Sequence, residues 1–130
     1  MGIESAIITR LNAVTDITDI VSNRIYADTL PDGSTLPAIV YQLISTIPYS
    51  ALTEDTGLFQ SRVQFNLIAD SKTETISLSE AMKTALQRYK GAVSDITILD
   101  ARLENIFDQS YDITTDQTAR VADFLFIYEV

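Results

Sequence analysis

Leu58-Phe59-Gln60-Ser61-Arg62-Val63-Gln64-Phe65-Asn66-Leu67-Ile68-Ala69 alternates apolar and polar residues, and a helix signal follows it at once. Phe59, Val63, Phe65, Leu67 and Ala69 fall on one face of an extended chain. Gln60, Arg62, Gln64 and Asn66 fall on the other, because successive strand side chains point to opposite faces. The stretch predicts a strand with one dry face. The other face is wet, and glutamine, arginine and asparagine there can also hydrogen-bond to a second subunit. Ser71-Lys72-Thr73-Glu74 matches a capping box, in which a serine oxygen and a glutamate satisfy free backbone N–H groups. Leu78, Ala81, Met82, Ala85, Leu86 and Tyr89 continue as an apolar stripe. Lys83, Arg88 and Lys90 sit where a helix C-terminus favours cations, and Gly91 is a natural stop. The helix is expected over 72–90.

Ile3, Ile7, Leu11 and Val14, spaced by four and three, predict an opening helix. Thr15-Asp16 interrupts it, and Ile17, Ile20 and Val21 suggest a further short helical turn. Arg24-Ile25-Tyr26 reads as a brief extended piece. Pro31-Asp32-Gly33-Ser34 has turn composition. Pro37 to Ser45 reads as a strand, rich in branched and aromatic residues. Pro48 to Gly57 and Gln109 to Gln117 read as polar loops. Leu99, Ala101, Leu103 and Phe107 form one alternating run, and Ala122, Phe124, Phe126, Tyr128 and Val130 form another. The order predicts an α+β fold: a mostly antiparallel sheet of about four strands with two helices packed on one face. No repeat or linker interrupts 1–130, so a single domain is expected.

Composition narrows the chemistry. Apolar residues make up 46% and charged residues 21%, which fits a folded globular chain. The net charge of −9 argues against wrapping nucleic acid, which needs a basic surface. Cysteine and histidine are both absent. That removes thiolate chemistry, the commonest general base and the commonest transition-metal ligand. The apolar run Phe124 to Tyr128 is far shorter than the roughly 20 residues that cross a bilayer as a helix. The opening Met1 to Ala6 carries an acid where a signal peptide carries basic residues. No cofactor and no membrane partner are expected, and a cytoplasm is the expected place of synthesis.

Asp100, Glu104, Asp108, Asp112 and Asp116 recur every four residues. On a helix or a regular strand that spacing gives one carboxylate face. No Asp-x-Asp-x-Asp-Gly loop accompanies it. A solvated face is the plain reading, weighed against an acidic interface or pore lining and against a metal site. Tyr49 and Tyr111 fall in expected loops, where an exposed aromatic marks a protein contact or packs its own loop.

Val21-Ser22-Asn23-Arg24-Ile25-Tyr26 is followed by a Pro-Gly turn and then by Leu36-Pro37-Ala38-Ile39-Val40-Tyr41-Gln42. Next come Arg62-Val63-Gln64-Phe65-Asn66-Leu67-Ile68-Ala69, the Leu78–Leu86 helix and the closing strand Arg120 to Tyr128. This order resembles the tail-completion proteins of long-tailed phages, also called tail terminators or tail-to-head joining proteins. The resemblance implies a non-enzymatic virion protein of the neck, assembled in the host cytoplasm. It implies a hexameric ring, monomeric before assembly, that caps the head-proximal end of the tail tube. Its partners would be itself, the tail tube protein and the head connector or stopper, with DNA passing through but not specifically bound. The same resemblance leaves room for another neck or head-completion adaptor, and an accidental likeness would leave a generic small protein-binding domain. The expected interface residues are Tyr49, Leu52, Glu54 and Asp55 in one loop, with Asp108, Tyr111, Asp112 and Asp116 around the other.

Overall fold

The computed structural model describes residues 2–50, 55–93, 95–112 and 117–130, with the side chains of 50, 55, 56 and 110–112 left aside. Three helices and six strands follow one another as α1 (Ile3–Asn12), α2 (Thr15–Val21), β1 (Ile25–Ala27), β2 (Ala38–Ser50), β3 (Asp55–Ala69), α3 (Lys72–Leu86), β4 (Gly91–Val93), β5 (Ile96–Asp112) and β6 (Gln117–Glu129). The strands form one mixed sheet in the order β1-β2-β3-β6-β5-β4, curled into a half-barrel. The expected four-strand antiparallel sheet with two helices is therefore corrected to six strands and three helices. β1 pairs parallel to β2, and the other neighbours pair antiparallel.

Local chemistry explains most boundaries. The first helical stripe divides in two because Val14 adopts an extended conformation, and α2 starts behind it. Ser71 caps α3: its hydroxyl oxygen accepts from the Glu74 N–H at 3.3 Å. The Glu74 carboxylate in turn accepts from that same hydroxyl rather than reaching the Ser71 backbone. α3 ends at Leu86, short of Gly91, because Gln87 turns extended and Arg88 takes a left-handed conformation. This hook ties the helix end to β5. The Arg88 N–H donates to the Ala101 carbonyl at 2.5 Å, and the Leu103 N–H donates to Gln87 Oε1 at 2.6 Å.

The helices cover one face of the sheet. Leu11, Ile17, Leu78, Met82 and Leu86 are buried against Ile39, Val63, Phe65, Leu67, Phe124 and Phe126. Phe65 meets Phe124 edge-on, with ring centroids 5.7 Å apart, a geometry that adds about 1 kcal/mol beyond area burial. A smaller cluster lies at one end of the opposite face, where Tyr26, Leu30 and Leu36 pack over Val40, Ile68 and Ala119. Arg24 secures that region by donating to the carbonyls of Pro37 and Ile20, and Leu36-Pro37 is a cis peptide.

Candidate functional site

The two long hairpins point opposite ways. β2 and β3 meet at Tyr49 and Leu58, beside Glu129 at the end of β6. β5 and β6 close instead at Asp112 and Gln117, beyond the pairing of Ala69 with Thr118. The sheet therefore carries one hairpin end at each pole. At the rise of a strand, β3 alone separates them by roughly 45 Å.

The expected interface residues divide between these poles. Tyr49 stands at the first, 41% exposed, with its hydroxyl donating to Gln60 Oε1. Asp55 opens β3 opposite Ser50 at the same pole. Asp108 lies toward the second pole, and β5 runs on through Tyr111 and Asp112. Leu52, Glu54 and Asp116 lie outside the described residues. The segments read as loops are largely strand: β2 continues to Ser50, β3 starts at Asp55, and β5 continues to Asp112. Pro48 in this run is tolerated because β2 lies outermost here, where no ladder N–H is needed from it.

The acidic series does not form one face. An extra residue at Glu104 disturbs the register of β5 against β6. Asp100 pairs opposite Ile127 and Asp108 opposite Arg120, which belong to opposite faces of β6. Asp100 and Asp108 each also meet cations. Asp100 lies 2.6 Å from Arg88, and Asp108 lies 3.4 Å from both Lys72 and Arg120. No group of three acids that could hold a metal ion occurs among the described residues.

The helix-free face presents a cross-strand row that the alternation of β3 anticipated. Arg62 and Arg102 flank Leu125, and Gln64 and Asn105 flank Asp123 one rung along. Asp123 Oδ1 is buried without a hydrogen-bond partner among the described residues. Arg102 on this face lies 4.0 Å from Asp100. Tyr41 lies on the helix side, where burial first, then Glu4 and Asp28, raises its hydroxyl above the ordinary value of 10.0. Ser61 was not expected from sequence. It is fully buried, with its hydroxyl 2.9 Å from Thr46 Oγ1 and 2.8 Å from the Tyr128 hydroxyl.

Comparison with known proteins places this architecture. A chain in the solved structure described as "Virion of native gene transfer agent (GTA) particle" matches with a TM-score of 0.73 at 15% identity, over 98% of this chain and 94% of that one. The fold is thus shared with a component of that particle. No curated protein sequence matches. The family model for tail completion protein gp17 matches residues 5–128, and the chain belongs to that family. Its role is structural, in the completion of a phage-type tail.

Proposed function

We propose that the chain caps the head-proximal end of the tail tube as a ring of its own copies and joins the tail to the head connector. The observation that carries this reading, beyond family membership, is the placement of the two hairpin ends at opposite poles of one rigid sheet. A subunit between two unlike partners needs a separate contact surface for each, and this sheet offers one at either end. Tyr49, Leu52, Glu54 and Asp55 belong to one docking end. Asp108, Tyr111, Asp112 and Asp116 belong to the other. The role is non-enzymatic and uses no cofactor, and the protein works in the virion neck after assembly in the host cytoplasm. DNA passes through the ring without specific binding. A surplus of carboxylates on the chain supports that passage, since like charge keeps phosphates from adhering.

Electron microscopy of a lysate from a phage with a stop codon in this frame tests the reading. Filled heads beside detached tails are expected, and normal joined particles would sink it. The purified chain should restore joining when mixed with isolated tails but not when mixed with isolated heads. Restoration through heads alone would assign it to a head-completion role.

A further inference from the structure

The outermost strands of the sheet are only three residues long, so most of each neighbouring long strand is left without a partner. β1 covers β2 only at Ile39–Tyr41, and the Asp28 N–H takes the Tyr41 carbonyl. Beyond that point, Gln42 to Ile47 have no backbone partner on their outer side among the described residues. β4 covers β5 at Ile96–Ile98, and the hook at Gln87 and Arg88 covers it at Ala101 and Leu103. From Asn105 to Ser110 the outer edge of β5 is again open among the described residues. Soluble proteins normally blunt such edges with charge or cover them. Here Gln42-Leu43-Ile44-Ser45-Thr46-Ile47 carries no charge in a chain of net −9. Of the exposed large apolar side chains, Ile44, Ile47, Tyr49, Leu99 and Phe107 all belong to these two strands.

We infer that the open edge of β2 pairs with the open edge of β5 in a second copy of this chain, so that the sheet continues from subunit to subunit. The inference rests on the ring proposed above and names its contact. Direction fits, because three antiparallel steps separate β2 from β5 and the two strands run oppositely. A β2 meeting the next copy's β5 is therefore antiparallel, with the helices kept on one side. Contact between two β2 edges would leave both β5 edges bare, whereas β2 with β5 uses one of each per copy, the head-to-tail arrangement that closes rings.

Position fits as well. Gln42 is level with Asn105 across one copy, through Gln64 and Asp123. The open part of β2 thus lies on one side of that level and the open part of β5 on the other. Pairing them sets Ile47 opposite Asn105, a stagger of about five residues over four strands. With a rise of ~3.3 Å and a spacing of ~4.8 Å, that equals a strand tilt of roughly 40°, within the range by which closed barrels tilt. Pro48, which has no N–H, ends the ladder on the loop side.

The absence of native cysteine gives a direct test. In this register Ser45 faces Phe107 of the next copy. Within one copy two strands intervene, a gap of roughly 14 Å, too wide for a disulfide. The full chain carrying both S45C and F107C, complementing the stop-codon phage, should be oxidised on purified tails. A ladder of covalent multimers is expected on a denaturing gel, collapsing on reduction. Tails assembled from a mixture of the two single variants should yield only mixed dimers. Dimers from S45C alone or F107C alone, or tail-bound chain without cross-links, would overturn the inference while leaving the tail role standing. A chain missing from tails altogether would overturn both. As a check independent of cysteine, I47K should keep the wild-type unfolding transition yet lose ring formation on tails. Normal assembly of I47K would also overturn the inference.

Discussion

Replacing Ser61 with alanine removes the middle member of a buried hydroxyl chain. Ser61 is fully buried between Thr46 and Tyr128, whose hydroxyl is itself in a side chain only 5% exposed. Thr46 is exposed and can turn to water. The Tyr128 hydroxyl cannot, and a buried polar group left unpaired costs about 1–3 kcal/mol. Ser61→Ala should therefore destabilise by about 2 kcal/mol. Tyr128→Phe should cost less, about 1 kcal/mol, because Ser61 keeps its bond to Thr46 and the ring keeps its stacking on Phe59. In the double variant no orphaned tyrosine hydroxyl remains, so its cost should fall below the sum of the two singles by about 1 kcal/mol. Urea unfolding at 25 °C, followed by circular dichroism, measures all four corners of the cycle. Calorimetry should show the Ser61→Ala transition lowered by roughly 6–10 °C for a chain of this size. Strict additivity, or a Ser61→Ala protein as stable as the wild type, would refute the account of this chain as a coupled, desolvated unit.

Ser71→Ala should cost about 1 kcal/mol by uncapping α3, measured as a lower urea midpoint. Tyr41 concerns the alkaline limb. Its folded value lies above 10.0, so its contribution is fully present below pH ~10 and is lost as pH rises through the folded value. Between pH 8 and 11 the wild type should lose stability more steeply than Tyr41→Phe, and parallel curves would count against a burial effect there. Tyr111→Ala and Asp112→Lys should leave the unfolding transition intact while reducing joined particles in a complementation assay. Loss of the transition would assign these residues to the fold instead.

Regular periodicity made the central strand and the third helix readable in the sequence. The alternation from Leu58 to Ala69 gave both faces correctly, since Val63, Phe65 and Leu67 are buried while Arg62, Gln64 and Asn66 stay partly open. Three kinds of feature escaped. β4 is three residues long and begins at a glycine that reads as a helix stop. β2 passes through Pro48, a turn signal that an edge strand tolerates. The bulge at Glu104 reverses alternation partway along β5, so Ile106 joins the core and Phe107 is 40% exposed. No residue type marks such an insertion, and a carboxylate series four apart is split between two faces by it. At the candidate site, Tyr49 lies in strand β2 and not in the loop that its surroundings suggested, and Asp108 lies in β5; both are toward hairpin ends. That the two ends face away from each other depends on long-range pairing of β3 with β6, which local pattern does not encode.

That pairing also sets how the subunit carries load. The ladder from Leu58–Glu129 to Ala69–Thr118 is what holds one hairpin to the other. In the proposed arrangement, tension between head and tail is applied at the two poles, runs parallel to these strands and strains every rung of the ladder together. A peeling force would break the same bonds one after another. The proposed joint is thus oriented along its strong direction, and its resistance to rupture should depend on the length of the β3–β6 overlap more than on any single contact.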